Sequence, residues 1–262
     1  MKDSALIRLE VVDYSFPEGE VVFSGYSWQV NQGDTWAVLG PSGCGKTTLI
    51  YLLAGLYHPK AGRVLFVEQE LKRPRPRTGL IIQEYGLLPW ATVRENARLG
   101  MRIRGFYGPD GTHAPAQPEA AGPVEPWLAR LDILGQADKY PAQLSGGQRQ
   151  RTASARTLVL EPDTLLMDEP FSSLDAPTRE GLQDLTLELQ AERNLTLILV
   201  THNIEEAAYM GRNILMLNQP PNLKPHVIDN PGAGQPAYRG SSAYQEMCSR
   251  LRQRMGEEAG RG

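Results

Sequence analysis

The run GPSGCGKT (40–47) has the spacing of a phosphate-binding loop: glycine at its first and sixth places, then lysine and a hydroxyl. Glycines let the main chain turn its N–H groups toward an anion, and a helix starting at the lysine adds positive potential there. In that reading Gly40, Pro41, Ser42, Gly43, Cys44, Gly45, Lys46, Thr47 and Thr48 surround the phosphates of a nucleotide. Lys46 reaches the β- and γ-phosphates and Thr47 ligates Mg²⁺. Cys44 is read as the small residue that fits the loop. A second piece of chemistry lies in TLLMDEP (164–170). Asp168 can hold Mg²⁺ through its water shell, and Glu169 can orient and polarise an attacking water. Phosphoryl transfer depends on positioning and charge stabilisation, so one metal and one placed carboxylate are adequate equipment.

These groups need a scaffold, and the hydrophobic pattern supplies one. Residues 6–12, 35–40, 78–83, 164–167 and 195–200 are short apolar or β-branched runs that read as strands, and PEGE (17–20) reads as a hairpin turn. Residues 46–56 read as a helix carrying Leu49, Ile50, Leu52, Leu53 and Leu56. Residues 92–104 and 178–192 read as two more helices. In the first of these Arg94, Arg98 and Arg102 recur on one face, expected to be solvated. Alternating strands and helices predict a mostly parallel sheet with helices on its faces. Four of the strands end at Gly40, Gln83, Asp168 and His202. Open α/β sheets bind ligands at such carboxyl ends. The Gly/Pro-dense stretch 105–126, with His113, reads as a loop without chemistry. After Leu217 the chain is turn-rich, then predicts a helix over 241–255 capped by Ser241 or Ser242.

Composition narrows the function classes. A net charge of −3 over 262 residues is not that of a polycation, so charge gives no support for non-specific nucleic-acid binding. Two cysteines, neither in a C-x-x-C pair, fit a reducing compartment. No apolar run approaches the length of a membrane span, so a membrane role must come through partners.

LSGGQ (144–148), DEP (168–170), SSLD (172–175) and TH (201–202), all downstream of a phosphate loop, resemble the ATP-binding subunit of an ABC transporter over residues 6–217. The resemblance implies an α/β P-loop NTPase: a RecA-like, mostly parallel sheet core, an antiparallel β subdomain and an inserted α-helical signature subdomain at about 84–157. It divides the chain into an ABC ATPase domain, 1–217, and a short C-terminal tail, 218–262. It implies ATP and Mg²⁺ as ligands, with Gln83 beside Thr47 and Asp168 at the metal. Glu169, His202 and Gln83 are the implied catalytic group. Ser145, Gly146, Gly147 and Gln148 are implied to contact ATP held by a second subunit in a head-to-tail dimer, and Asp175 to communicate across it. Phe16 falls where an aromatic ring stacks on adenine, with Tyr14 as the neighbouring alternative.

QEYGLLPWATVREN (83–96) carries a narrower resemblance, to the ATPases of the nitrate, sulfonate and taurine import group, where LLPW and TV-x-x-N recur. Tyr85 departs from that group, in which proline is frequent. Leu87, Leu88, Pro89 and Trp90 are the implied docking surface for a permease. The resemblance implies an importer motor on the cytoplasmic face of the inner membrane, working as a homodimer with transmembrane permease subunits and, indirectly, a solute-binding protein. The solute class it suggests is a small anion such as a sulfonate or nitrate. The alternative is an ABC ATPase acting on DNA or ribosomes. One uninterrupted cassette without coiled-coil heptads favours the importer and no nucleic-acid partner.

Overall fold

The computed structural model describes residues 5–17, 19–107, 123–235 and 237–259; His113 and most of the loop around it lie outside them. The chain opens with a hairpin of β1 (Ile7–Ser15) and β2 (Val21–Val30). Along β1 the buried residues are Ile7, Leu9, Val12 and Tyr14. The step of three between Leu9 and Val12 coincides with a register shift and with Val11 at φ 48°, an inserted residue that keeps the apolar side inward. β3 (Thr35–Leu39) is buried along its whole length and runs into the phosphate loop and α1 (Lys46–Leu53). The helix stops before Gly55, which turns left-handed at φ 70°. Leu56, expected on the helix's apolar stripe, therefore falls beyond it and is 49% exposed. β4 (Ala61–Phe66) and β5 (Gln69–Glu70) complete an antiparallel sheet of order β2-β1-β4-β5.

β6 (Thr78–Ile81), the edge strand of the central sheet to which β3 also belongs, ends two residues short of Gln83. Among the described residues three α-helices follow before the sheet's next strand: α2 (Val93–Tyr107), α3 (Glu125–Arg130) and α4 (Gly146–Leu158). They share a core of Val93, Ala97, Leu128, Ala155 and Leu158. Arg94 and Arg98 do not form the expected solvated face. Both pair with Glu125 of α3, Arg98 at 3.1 Å, and Arg94 also reaches Asp138 at 3.4 Å. They hold two helices together, and Arg102 alone of the three is exposed.

The chain then returns as β7 (Thr164–Asp168), α5 (Ala176–Arg193), β8 (Thr196–Thr201), α6 (Ile204–Met210) and β9 (Asn213–Met216). Residues past Leu217 add β10 (His226–Asp229), antiparallel to β9, and α7 (Ser242–Ala259). The sheet order is β10-β9-β3-β8-β7-β6, parallel from β9 to β6. Both faces are covered, so the inner strands β3, β8 and β7 are buried on both sides. Trp36 and Val38 of β3 face one cluster with α1 and the antiparallel sheet, while Ala37 and Leu39 face another with α6 and α7. The Ser241 hydroxyl accepts the Tyr244 N–H and so caps α7. Cys248 and Leu251 on that helix are buried against Ala207 and Ala208. β8 lies between the strands that end at Leu39 and Asp168, and parallel register brings those ends to one edge.

Candidate active site

The phosphate loop takes its shape from two left-handed glycines, Gly43 at φ 78° and Gly45 at φ 102°. Gly45 has a second constraint, since a Cβ there would lie 2.5 Å from Val22 Cγ1. Lys46 curls back across the loop, its Nζ donating to the carbonyls of Gly40 (2.8 Å) and Pro41 (2.7 Å). The ammonium is thus buried at the helix N-terminus, adding a full charge to the local N–H groups. Cys44 is fully buried with Sγ 3.9 Å from Lys46 Nζ.

The Thr47 side chain lies close enough to the Asp168 carboxylate to favour its charged form. Burial pushes the Asp168 carboxyl above the usual aspartate range and the Glu169 charge adds to this, while Thr47 and Lys46 pull it back. Its neighbour Glu169 departs from the strand at φ 45°, a left-handed conformation that costs a non-glycine residue about 1–3 kcal/mol. Its N–H still donates to Val200 O at 2.9 Å, so the pairing with β8 survives the bend. The carboxylate is held between two arms. His202 Nδ1 stands 3.0 Å from Oε1, and Gln83 Nε2 donates to Oε2 at 3.4 Å.

These groups face one cleft of about 670 Å³, lined by Phe16, Lys46, Thr47, Gln83, Glu169 and His202 together with Val22, Ser42, Gly43, Gly45 and Thr48. Gly40, Pro41, Cys44 and Asp168 do not line it. Phe16 is 42% exposed and packs edge-on against Tyr14 and Tyr57, whereas Tyr14 is 9% exposed and stacked on Tyr57 at 5.6 Å. Of the two rings, only Phe16 lines the cleft. A second cavity, of about 640 Å³, opens beside Arg8, Trp28, Trp36 and Val227 and contains none of the phosphate-loop residues.

Ser145 sits elsewhere. It caps α4 through a reciprocal pair: Gln148 N–H donates to Ser145 Oγ (3.3 Å), and Ser145 N–H donates to Gln148 Oε1 (3.0 Å). Gly147 is packed so closely that a Cβ would lie 2.5 Å from Thr178 Cγ2, and one on Gly146 would lie 3.3 Å from Leu174 Cδ2. Asp175 in turn caps α5, accepting the Thr178 N–H at 3.2 Å. The signature turn and the SSLD turn are therefore one packed unit. Neither Ser145–Gln148 nor Asp175 lines the cleft of their own chain.

Leu87 and Leu88 are half-buried, while Pro89 is exposed and Trp90 is 73% exposed. Two residues that sequence reasoning gave no role hold this loop. Asn96, fully buried, donates from Nδ2 to the carbonyls of Leu88 (3.1 Å), Ala91 (2.9 Å) and Thr92 (3.0 Å) and accepts the Leu88 N–H (2.8 Å). It is the asparagine of TV-x-x-N, so the pattern contained it. Arg156 of α4 donates to Tyr85 O and Gly86 O, each at 2.6 Å. Tyr85 is left-handed at φ 62°, and its hydroxyl lies 2.7 Å from Ser173 Oγ in the SSLD turn.

The profile described as ABC transporter matches residues 23–172. The aliphatic sulfonates import ATP-binding protein SsuB of Bacillus cereus is 34% identical over 232 residues, 88% of this chain and 87% of that protein. The taurine import ATP-binding protein TauB of Pseudomonas aeruginosa is 37% identical over 218 residues, covering 82% and 80%. Among solved structures, cbiO1 from Clostridium perfringens, part of the ABC transporter complex cbiONQ, superposes with a TM-score of 0.71 at 26% identity, covering 87% of this chain and 89% of that one. The dimeric post-hydrolysis state of the ATP-binding cassette MJ0796, bound to ADP and Pi, gives a TM-score of 0.71 at 26% identity, covering 85% and 98%.

Proposed function

The chain belongs to the ABC transporter family, as an ATP-binding ATPase subunit, and from that premise we propose that it is the motor of an importer for a small anion of the sulfonate or taurine kind. Its relatives' names support the direction of transport and the solute class. Two copies associate head to tail, so that each cleft is completed by the other chain's Ser145–Gln148. The observation that carries this reading is the separation of the signature turn from the cleft of its own chain, with Ser145 exposed at a helix N-terminus. The MJ0796 cassette is a dimer, which supports the same arrangement here.

In this reading the adenine stacks on Phe16 and the phosphates lie along residues 40–48. Lys46 exchanges the carbonyls of Gly40 and Pro41 for the β- and γ-phosphates. The Thr47 hydroxyl, the Asp168 carboxylate and the Gln83 amide oxygen are hard oxygen donors, few in number, which suits Mg²⁺ arriving on a nucleotide. When bound, Mg²⁺ neutralises charge developing on the phosphate oxygens. Glu169 accepts a hydrogen bond from the attacking water and takes its proton as the bond to the γ-phosphorus forms and that to the leaving ADP oxygen breaks. His202 and Gln83 hold the Glu169 carboxylate in place. Leu87, Leu88, Pro89 and Trp90 transmit closure to a separate permease at the cytoplasmic face of the membrane, loaded by a solute-binding protein. Among the described residues no helix is long and apolar enough to cross a membrane, which supports a peripheral seat.

Glu169→Gln tests the site and the assembly together. The variant binds ATP, accumulates as an ATP-dependent dimer on size exclusion, and loses ~10²–10⁴-fold in turnover, the usual worth of a general base. Wild-type turnover removes Glu169 from the role, and a monomer at saturating ATP removes the dimer. Stimulation of the wild-type ATPase by DNA or ribosomes, with no membrane protein co-purifying, overturns the importer.

A further inference from the structure

The segment after β9 returns to the phosphate loop from behind. Leu217 N–H donates to Leu39 O at 2.9 Å, and a Cβ on Gly40 would lie 2.5 Å from the Leu217 carbonyl oxygen. Further on, Asn222 is only 5% exposed and uses each of its polar groups. Its Nδ2 donates to Cys44 O (2.9 Å) and Val22 O (3.3 Å), and its Oδ1 accepts the Asn218 N–H (3.0 Å). Its main-chain N–H donates to Val22 O (2.9 Å), and its carbonyl accepts the Ser24 N–H (3.1 Å). One buried side chain thus ties the phosphate loop to the strand whose Val22 forms the cleft wall. A buried amide with all its bonds made is a fixed object, because moving it would strand several polar groups at ~1–3 kcal/mol each.

The bond to Cys44 O has a directional consequence. That carbonyl and the Gly45 N–H belong to one peptide unit, and in a planar trans peptide the two point opposite ways. A carbonyl pinned toward Asn222 therefore turns the Gly45 N–H to the other side, and Gly45 lines the cleft. The φ of 102° at Gly45, the N-cap of α1, lets the chain enter the helix with that peptide so oriented.

We propose that Asn222 is a positioning residue for ATP: it holds the Cys44–Gly45 peptide so that the Gly45 N–H faces the phosphates. The proposal rests on residues 40–48 being the phosphate loop. Asn222 does not line the cleft, so its loss acts on nucleotide affinity through the loop.

Two measurements test it on the full chain. First, Cys44–Gly45 is the one Cys–Gly pair in the sequence, because Cys248 is followed by serine. Labelling cysteine with ¹³C at the carbonyl and glycine with ¹⁵N therefore isolates the Gly45 amide as a single NMR correlation. That signal shifts on addition of Mg·ADP to the wild-type protein; an unmoved signal under saturating nucleotide overturns the proposal. Second, Asn222→Ala raises the Kd for Mg·ATP about tenfold, about 1.4 kcal/mol, and the loss of activity is carried by KM rather than kcat. Asn222→Asp, isosteric but without the NH₂ donor, is at least as weak at pH 8. Wild-type affinity in both variants, or a fall in kcat with KM unchanged, overturns it. Should Asn222→Ala not fold, the isosteric Asn222→Asp gives the same comparison, and wild-type affinity in it overturns the proposal. Lys46→Ala separates the two levels: retained ATP affinity in that variant refutes the phosphate-loop reading itself, whereas lost affinity there beside normal affinity in Asn222→Ala refutes only the role of Asn222.

Discussion

The hydroxyl–hydroxyl contact between Tyr85 and Ser173 joins the loop that carries LLPW to the turn that carries Asp175, and it can be cut without disturbing either loop's packing. The two oxygens are 2.7 Å apart, at the mode for a hydroxyl pair. Tyr85 is buried, and Tyr85→Phe keeps the ring, so no cavity opens. A neutral hydrogen bond contributes ~0.5–1.5 kcal/mol net, and the exposed Ser173 can turn to water when Tyr85 loses its hydroxyl. Tyr85→Phe and Ser173→Ala should therefore each destabilise the chain by ~1 kcal/mol, and the double variant by ~1 rather than ~2. Urea denaturation of the wild type, both single variants and the double variant closes the cycle. Basal ATP turnover stays within about twofold, because neither residue lines the cleft, while stimulation by the permease falls in both single variants. A coupling energy below ~0.3 kcal/mol, the scatter of independent sites, refutes the bond. Undiminished permease stimulation refutes its role in joining the two loops.

Two further perturbations separate stability from function. Burial raises the Asp168 pKa in the folded chain, so the folded state binds that proton more tightly than the unfolded one. Stability of the nucleotide-free protein therefore falls as pH rises from the ordinary aspartate range through the raised value, and stays lower above it. Asp168→Asn removes that dependence and should raise the neutral-pH melting temperature by a few degrees while abolishing turnover; a lower melting temperature than wild type contradicts the argument. Trp90→Ala should leave ATP affinity and melting temperature unchanged, since the ring is mostly in solvent, yet weaken capture of the permease in a pull-down; full capture removes Trp90 from the docking surface.

What could be read from sequence was local. A strand of five buried residues, a glycine-rich turn and a helix start announce themselves within a dozen positions, as do Asp168 and Glu169 at a strand end. What could not be read depends on contacts between distant segments. Arg94 and Arg98 have helical spacing that fits a solvated face, and the partner they share, Glu125, stands 31 and 27 positions on. Leu56 continues an apolar pattern that a left-handed Gly55 has already ended. Asn96 stood inside a quoted pattern, but its burial under the LLPW loop had no local sign. Asn222 had less still: its partners Val22 and Cys44 are 200 and 178 positions away. The choice of Phe16 over Tyr14 for the cleft required Tyr57, which occupies the face of Tyr14 and leaves Phe16 turned outward.

The cap on α4 bears on what the proposed dimer would find at this turn. In the cap Ser145 Oγ accepts the Gln148 N–H while the Ser145 N–H donates to Gln148 Oε1, which leaves the hydroxyl proton of Ser145 to donate outward. In the proposed dimer a phosphate in the partner's cleft would take that proton with the cap intact, and the ~1 kcal/mol that loss of a serine cap typically costs would not be charged against binding. The residue three places on from Ser145 thus fixes the serine oxygen by its lone pair and aims its proton outward, so the cap and the proposed contact with a partner's nucleotide use different halves of one hydroxyl.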